Sequence, residues 1–302
     1  MTVPRSKFAF CLAGAWFLAL SALLPGARAA ADGDPARGAY VFTAAGCKGC
    51  HTTAGDAKAK VLLAGGRALK TPFGTYYSPN ITPDPETGIG RWSFEDFQRA
   101  LRDGKTPGGS YYFPVFPYTA YTRMSDADMA DLWAYLRTLP AVKRANRPHE
   151  TKLVFGWRIM MLPWRILNFE PGAMKEDPAK GPAWNRGAYL VEALGHCGEC
   201  HSPRDALGGF VGGMHLAGTA EGPGGDPVPN ITPDKATGIG GWSAEDIDSL
   251  LSLGMLPDGD FVGGEMTEVY ENTAKLTPAD RRAMVVYLQS VPAVENKVTK
   301  SK

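Results

Sequence analysis

Two short segments, Cys47-Lys48-Gly49-Cys50-His51 and Cys197-Gly198-Glu199-Cys200-His201, constrain this chain more than anything else in its 302 residues. C-x-x-C-H is the attachment pattern of a c-type haem. The spacing has a mechanical basis. Thiols three residues apart on one helical turn share a face, where they reach the two vinyl groups along one porphyrin edge, and the histidine that follows points at the iron. A structural zinc site asks for four cysteines, or two cysteines and two histidines at a second spacing that this chain lacks. The expectation is two covalently bound haem c groups, on Cys47 with Cys50 and on Cys197 with Cys200, with His51 and His201 as proximal iron ligands.

The surroundings of the motifs repeat. A shift of 150 residues lays Cys47 on Cys197, Pro79-Asn80-Ile81-Thr82-Pro83-Asp84 on Pro229 to Asp234, and Trp92-Ser93 on Trp242-Ser243. A shift of 149 matches Arg37-Gly38-Ala39-Tyr40 to Arg186-Gly187-Ala188-Tyr189, and a shift of 152 matches Pro140-Ala141-Val142 to Pro292-Ala293-Val294. The changes of offset are read as loop insertions. A period this long means tandem domains, because solenoids repeat every 20 to 50 residues or so. The boundaries expected are a signal peptide at 1–29, domain one at 30–142, a linker at 143–182, domain two at 183–295 and a polar tail at 296–302.

The signal peptide is read from Arg5 and Lys7, an apolar stretch from Phe8 to Leu24, and Ala27-Arg28-Ala29 as a small-x-small cleavage site. Cleavage removes three basic residues and no acidic ones, leaving 29 Lys and Arg against 31 Asp and Glu, a net charge of −2. Nothing in that balance suggests a nucleic-acid partner. Cleavage also removes Cys11, so every remaining cysteine lies in a haem motif and none is left for a disulfide, a nucleophile or a thiolate iron ligand. Export fits haem attachment in the periplasm.

Each unit opens with a short helix leading into its motif, Pro35 to Ala45 and Ala183 to Leu194. Ser93 with Asp96, and Ser243 with Asp246, predict capping-box starts for a middle helix. The last helix follows Ser125 in unit one and Thr277-Pro278 in unit two, with apolar residues at helical spacing. The first and last helices are expected to cross beside the haem. No strand pattern of useful length appears.

A thioether opposite His is the usual sixth ligand of an electron-transfer haem. Met266, ten residues before Leu276, is the favoured distal ligand of the second haem, with Met255 as runner-up and Met284 as core. Unit one departs from this, because the residue 150 positions before Met266 is Phe116, which cannot ligate iron. Met124 is favoured there, with Met129 one turn further on; the alternative role for Met124 is an apolar staple before the cap, as Leu276 is in unit two, which leaves the first haem five-coordinate. His149, His196 and His215 are read as surface or supporting residues. Trp92, Trp242, Asn80 and Asn230 hold matching positions, and their N–H groups can donate to haem propionates; packing and turn formation explain them equally well.

Leu63-Ala64-Gly65-Gly66-Arg67, Thr71-Pro72-Phe73-Gly74-Thr75-Tyr76-Tyr77-Ser78-Pro79-Asn80-Ile81-Thr82-Pro83-Asp84, Phe116-Pro117-Tyr118-Thr119 and Gly195-His196-Cys197-Gly198-Glu199-Cys200-His201-Ser202-Pro203-Arg204 resemble the cytochrome c subunits of periplasmic membrane-linked dehydrogenases of the alcohol, aldehyde, gluconate and nicotinate type. The resemblance covers nearly all of the mature chain. It implies a mainly α fold of two tandem class I cytochrome c domains, each wrapped around one covalent haem. It also implies a catalytic dehydrogenase partner of molybdenum, flavin or quinone-cofactor type, and onward transfer to a quinone, cytochrome or terminal oxidase of the respiratory chain. Many relatives carry a third motif and a C-terminal amphipathic anchor, whereas this chain stops at Lys302 after a polar tail. The expectation is a periplasmic protein, soluble or peripherally held on the outer face of the cytoplasmic membrane.

The linker holds an apolar stretch from Leu153 to Leu167 that Arg158, Pro163 and Arg165 interrupt, which makes it a poor transmembrane span. It is read as packing between the domains, or as a docking face for a partner or a membrane. The function expected is electron transfer with no substrate chemistry of its own. The rival is a dihaem enzyme, of peroxidase or thiosulfate dehydrogenase type, with an open iron site at haem one.

Overall fold

The computed structural model describes residues 33–53, 63–152 and 156–299; the expected signal peptide and Cys11 lie outside them. Unit one begins with α1 (Pro35–Ala44), where Asp34 accepts from the amides of Ala36 and Arg37 and Pro35 takes the first helical turn. Gly46, at φ 62°, turns the chain into α2 (Cys47–His51). A hairpin of β1 (Ala68–Thr71) and β2 (Gly74–Tyr77) follows, then α3 (Phe94–Asp103), α4 (Tyr118–Tyr121) and α5 (Asp126–Leu136). After β3 (Glu150–Thr151) and α6 (Met161–Asn168), unit two runs through α7 (Pro182–Ala188), α8 (Gly198–His201), α9 (Ala244–Leu253), α10 (Glu265–Thr273) and α11 (Pro278–Leu288).

The helix starts follow from their caps. Ser93 and Ser243 form capping boxes with Asp96 and Asp246, and Ser125 and Thr277 accept from the amides three residues on. In each unit the first and last helices cross at a glycine. A Cβ on Gly38 would stand 1.9 Å from the Asp131 carbonyl oxygen, and one on Gly187 would stand 1.9 Å from that of Ala283. The repeated Arg-Gly-Ala-Tyr is therefore a contact code: its glycine lets two backbones touch. The helices seal a core that includes Val41, Leu132, Leu136, Val191, Met284 and Leu288.

The Asn-Ile-Thr-Pro-Asp loops tie the end of each unit to its middle. Asn80 accepts from the Thr82 amide at 2.9 Å and its hydroxyl at 2.7 Å, and donates to the Val142 carbonyl at 2.7 Å and to Thr87 Oγ1 at 3.0 Å. Asn230 makes the same four bonds, at the same lengths, to Thr232, Val294 and Thr237. The segment after each last helix, where Pro-Ala-Val recurs, is thus held to the loop through its backbone.

Four sequence expectations change. The chain does form a sheet: β1 and β2 pair antiparallel with Ala68 opposite Tyr77, and β3 joins β2 with Thr75 opposite Glu150. Each strand is too short for alternation to show in the sequence. Residues 143–151 belong with unit one, since Asn146 accepts from the Asn80 amide and His149 from that of Tyr77. The change of offset between Tyr189 and Cys197 is not a loop insertion but one extra residue taken up in a π-helical turn, Tyr189–Leu194. The apolar stretch around α6 is not mainly inter-domain packing. Met161 packs with Tyr76 and Phe113 of unit one and Trp164 donates to the Leu207 carbonyl of unit two, but Ile166 and Leu167 are 75% and 76% exposed.

The units meet in a pseudo-twofold interface. Tyr40 donates to Asp280 Oδ2 at 2.5 Å and accepts from the Thr277 amide, while Tyr189 donates to Asp128 Oδ2 at 2.5 Å and accepts from the Ser125 amide. Each tyrosine sits where α1, or its counterpart in unit two, meets the start of the other unit's last helix.

Candidate functional site

Both motifs form the single helical turn expected: α2 holds Cys47, Cys50 and His51, and α8 holds Cys200 and His201 with Cys197 at its N-cap. Neither histidine is left to rotate. His51 Nδ1 lies 2.8 Å from the Pro79 carbonyl oxygen, and His201 Nδ1 lies 2.8 Å from that of Pro229. A carbonyl only accepts, so Nδ1 carries the proton and Nε2 keeps a free lone pair, the tautomer an iron ligand needs. Burial lowers the pKa of both imidazoles and keeps them neutral.

Burial likewise pushes the thiols of Cys47 and Cys197 up to about 12, and that of Cys200 up to about 11. These are protonated thiols, not activated thiolates. Among the described residues no cluster of three or more His, Cys, Asp or Glu side chains could hold a bare metal ion. The donor set of each site, two protonated thiols and one oriented imidazole, therefore fits a metal that arrives already held by a macrocycle.

The distal candidates differ between units. Met266 lies in the first turn of α10 and is half-buried. Met124 is fully buried and directly precedes the Ser125 cap, the place Leu276 takes before Thr277. Met129 is also buried, with Arg102 Nη2 3.7 Å from its sulfur. Met284 is in the core, as expected, and Met255 follows α9 in a bridge to Phe261. The two repeats keep step through Tyr112 and Val262, which donate to Gly104 and Gly254, and again from Tyr118 and Tyr270, whose rings cover those glycines. Between these points unit two is two residues longer. There it builds α10 around Met266, where unit one has Phe116, packed against Tyr112 and Tyr121 at 5.4 and 5.8 Å between ring centroids.

The expected propionate contacts divide. Asn80 and Asn230 spend the amide oxygen and one amide hydrogen inside their own loops and the other hydrogen on the Val142 or Val294 carbonyl after the last helix, so the propionate reading of these two residues is corrected: they organise turns and tie them to the chain beyond that helix. Trp92 and Trp242 are half-buried against the core, and neither indole N–H has a protein acceptor among the described residues. They remain able to donate.

Three features escaped sequence reading. Arg67, from the loop behind the first motif, donates to the Gly49 carbonyl and also pairs with Glu265 and Glu268, which flank Met266, at 2.6 and 2.7 Å. Glu192 accepts from Tyr287 at 2.9 Å and pairs with His215 at 2.8 Å beside the second motif. His196 packs its ring edge-on against Tyr121 of unit one. The repeated tyrosine of Arg-Gly-Ala-Tyr was visible in the sequence, but nothing there indicated that it reaches into the other repeat.

The cytochrome c family profile matches residues 35–140. The whole chain is 45% identical over 285 residues to a diheme cytochrome c-type protein of Cereibacter sphaeroides, covering 94% of each. The chain belongs to the cytochrome c family. This cytochrome is also 41% identical to one of the subunits of nicotinate dehydrogenase from Pseudomonas putida, over 84% of its own length but 21% of that protein. It is 40% identical to the fructose dehydrogenase cytochrome subunit of Gluconobacter japonicus, over 85% of its own length and 52% of that subunit. The cytochrome thus spans about half or less of these two relatives. It is a haem c electron-transfer protein of mainly helical fold, and among its described residues no helix is long and apolar enough to cross a membrane.

Proposed function

We propose that this cytochrome carries two haem c groups and relays electrons from a catalytic dehydrogenase to a quinone, cytochrome or oxidase of the respiratory chain, in the periplasm and held at most peripherally to the membrane. The observation that carries the reading is the duplicated site: two C-x-x-C-H turns, each with its histidine pinned by a carbonyl at 2.8 Å. The names of the relatives, which include a nicotinate dehydrogenase subunit and cytochrome subunits of fructose, alcohol and gluconate dehydrogenases, support a dehydrogenase partner, for which the proposal takes a molybdenum, flavin or quinone-cofactor type.

Haem c supplies a one-electron iron couple when bound. The protein's part is to hold the group and set its environment. Cys47, Cys50, Cys197 and Cys200 would form the thioethers, His51 and His201 would ligate the iron from the proximal side, and Met124 and Met266 from the distal side. A thioether opposite histidine favours ferrous iron and raises the potential. Trp92 and Trp242 would donate to the propionates. No bond in a substrate is made or broken by these residues, so substrate chemistry belongs to the partner.

The test is haem stoichiometry by pyridine haemochrome and intact mass, together with native purification from periplasm and membrane. Two haems per chain and a co-eluting dehydrogenase fit the proposal; one haem, or a protein that reduces no acceptor after reaction with the dehydrogenase, overturns it. A second reading, an open iron at haem one, draws on Phe116 at the place of Met266 and on Met124 at the place of Leu276. A high-spin ferric spectrum would favour it over Met124 ligation.

A further inference from the structure

The two repeats differ at the residue that leads into each motif. In unit one it is Gly46, left-handed at φ 62°, and in unit two it is His196, left-handed at φ 39°. The correspondence is fixed by the bonds Gly49 N–H to Gly46 O at 3.0 Å and Glu199 N–H to His196 O at 2.8 Å. Glycine adopts this conformation freely, whereas histidine does so at a cost. The π-helical turn before it, closed by Gly195 N–H to Leu190 O at 2.7 Å, is a second irregularity that unit one lacks.

Both irregularities serve one contact. They carry the His196 ring across the unit boundary to Tyr121, with ring centroids 5.4 Å apart and planes at 81°. The Tyr121 hydroxyl donates at 2.8 Å to the carbonyl of Ala45, two residues before Cys47, and that carbonyl also lies beside the His196 ring. His196 itself adjoins Cys197. The path from motif to motif is thus short: Cys47, Ala45, Tyr121, His196, Cys197. Thr119, donating to Glu199 Oε1 at 2.7 Å, ties unit one to the second motif, and Arg67, bridging the Gly49 carbonyl to Glu265 and Glu268, ties the first motif to unit two.

We propose that His196 is a positioning residue for electron exchange within the molecule: seated against Tyr121, it fixes the separation and orientation of the two C-x-x-C-H turns. This rests on the two-haem reading above. In the exchange one electron leaves ferrous iron in one unit and reduces ferric iron in the other, with no bond formed or broken. A backbone strained on one side only, where glycine suffices on the other, is the kind of local cost retained at functional contacts.

The experiment uses the haem-loaded protein and two variants. His196→Ala removes the ring, and His196→Asn removes it while keeping a residue suited to the left-handed backbone. Three quantities are read: the midpoint potentials, the split Soret circular dichroism that two neighbouring haems give, and the concentration-independent electron-exchange rate after partial photoreduction. The expected result is unchanged potentials, a smaller Soret couplet and an exchange rate lower by roughly ten- to a hundredfold, the upper figure being what a misplacement of about 1 Å can cost. Wild-type rate and couplet in the variants overturn the proposal; should His196→Ala fail to mature, His196→Asn decides alone. A haem count of one per chain would instead overturn the two-haem reading, so the two failures are distinguishable.

Discussion

Tyr40 in α1 donates to Asp280 in α11 at 2.5 Å, and the repeat returns the contact through Tyr189 and Asp128 at the same distance. Each acceptor lies in the first turn of a last helix, where its charge already suits the helix dipole. Asp280 also takes a two-bond fork from Arg186, at 2.9 and 2.7 Å. The interface between the units therefore adds charge-assisted bonds at part-buried positions to an apolar cluster that runs through both units.

Removing one hydroxyl should weaken that interface measurably. Tyr40→Phe and Tyr189→Phe are each expected to lower unfolding stability by about 1.5 to 3 kcal/mol, the range for hydrogen bonds to charged groups. Denaturant melts of the single and double variants check this, and a double variant that loses no more than a single one would show that the two contacts are not independent.

Acid should act on the same residues. The Arg37 hydrogen bond lowers the pKa of Asp131 despite burial, while for Asp280 burial pushes upward and the bonds from Arg186 and Tyr40 outweigh it. Both folded pKa values lie below the ordinary 3.8, so the stabilisation is present above that pH and is lost as pH falls from about 4 through the folded values. Asp131→Asn and Asp280→Asn are expected to be less stable at neutral pH and to show a flatter acid limb. A variant melt as steep in acid as the parent's would refute the assignment.

The helix crossings admit no side chain. Gly38→Ala and Gly187→Ala each drive a methyl group against a backbone carbonyl and are expected to cost about 1 to 3 kcal/mol or more. Gly241, with nothing within 4 Å of its Cβ position and no left-handed backbone, is the control: Gly241→Ala should stay within about 0.5 kcal/mol. Thermal melts of the three variants make the comparison.

Asn80→Ala and Asn230→Ala each strip four hydrogen bonds from a buried turn, at an expected cost of about 2 to 4 kcal/mol. Their haem potentials should hardly move once the protein is loaded. A large shift of potential with little loss of stability would restore the propionate role that the loop geometry removes.

On the ligation proposed above, Met266→Ala should lower the potential of one haem and leave the other in place, because a His–Met iron would become one lacking its thioether. Met124→Ala should do the same at the other haem. A redox titration separates the outcomes: two unshifted waves in Met124→Ala would mean that Phe116 and Met124 leave the first iron without a sulfur ligand.

Much of this was legible in the chain because the signals are local. A C-x-x-C-H turn, a Ser-x-x-Asp capping box or a Thr-Pro helix start is decided by residues within four positions of each other, and duplication supplies each signal twice. The hairpin was not legible, because strands of four residues carry too little alternation. Nor was the role of Asn80, whose donor capacity suited a propionate as well as the Val142 carbonyl, 62 residues on.

The sequence by itself determined the C-x-x-C-H turns, the duplication and the helix caps, since short-range chemistry leaves few alternatives for those residues. Only the tertiary structure decided that the repeats face each other through Tyr40 and Tyr189, that Arg67 reaches the helix bearing Met266, and that His196 meets Tyr121. Those are contacts between residues tens to hundreds of positions apart, made where the two units meet. Spacing along a chain carries no record of where two distant side chains meet once the backbones have packed.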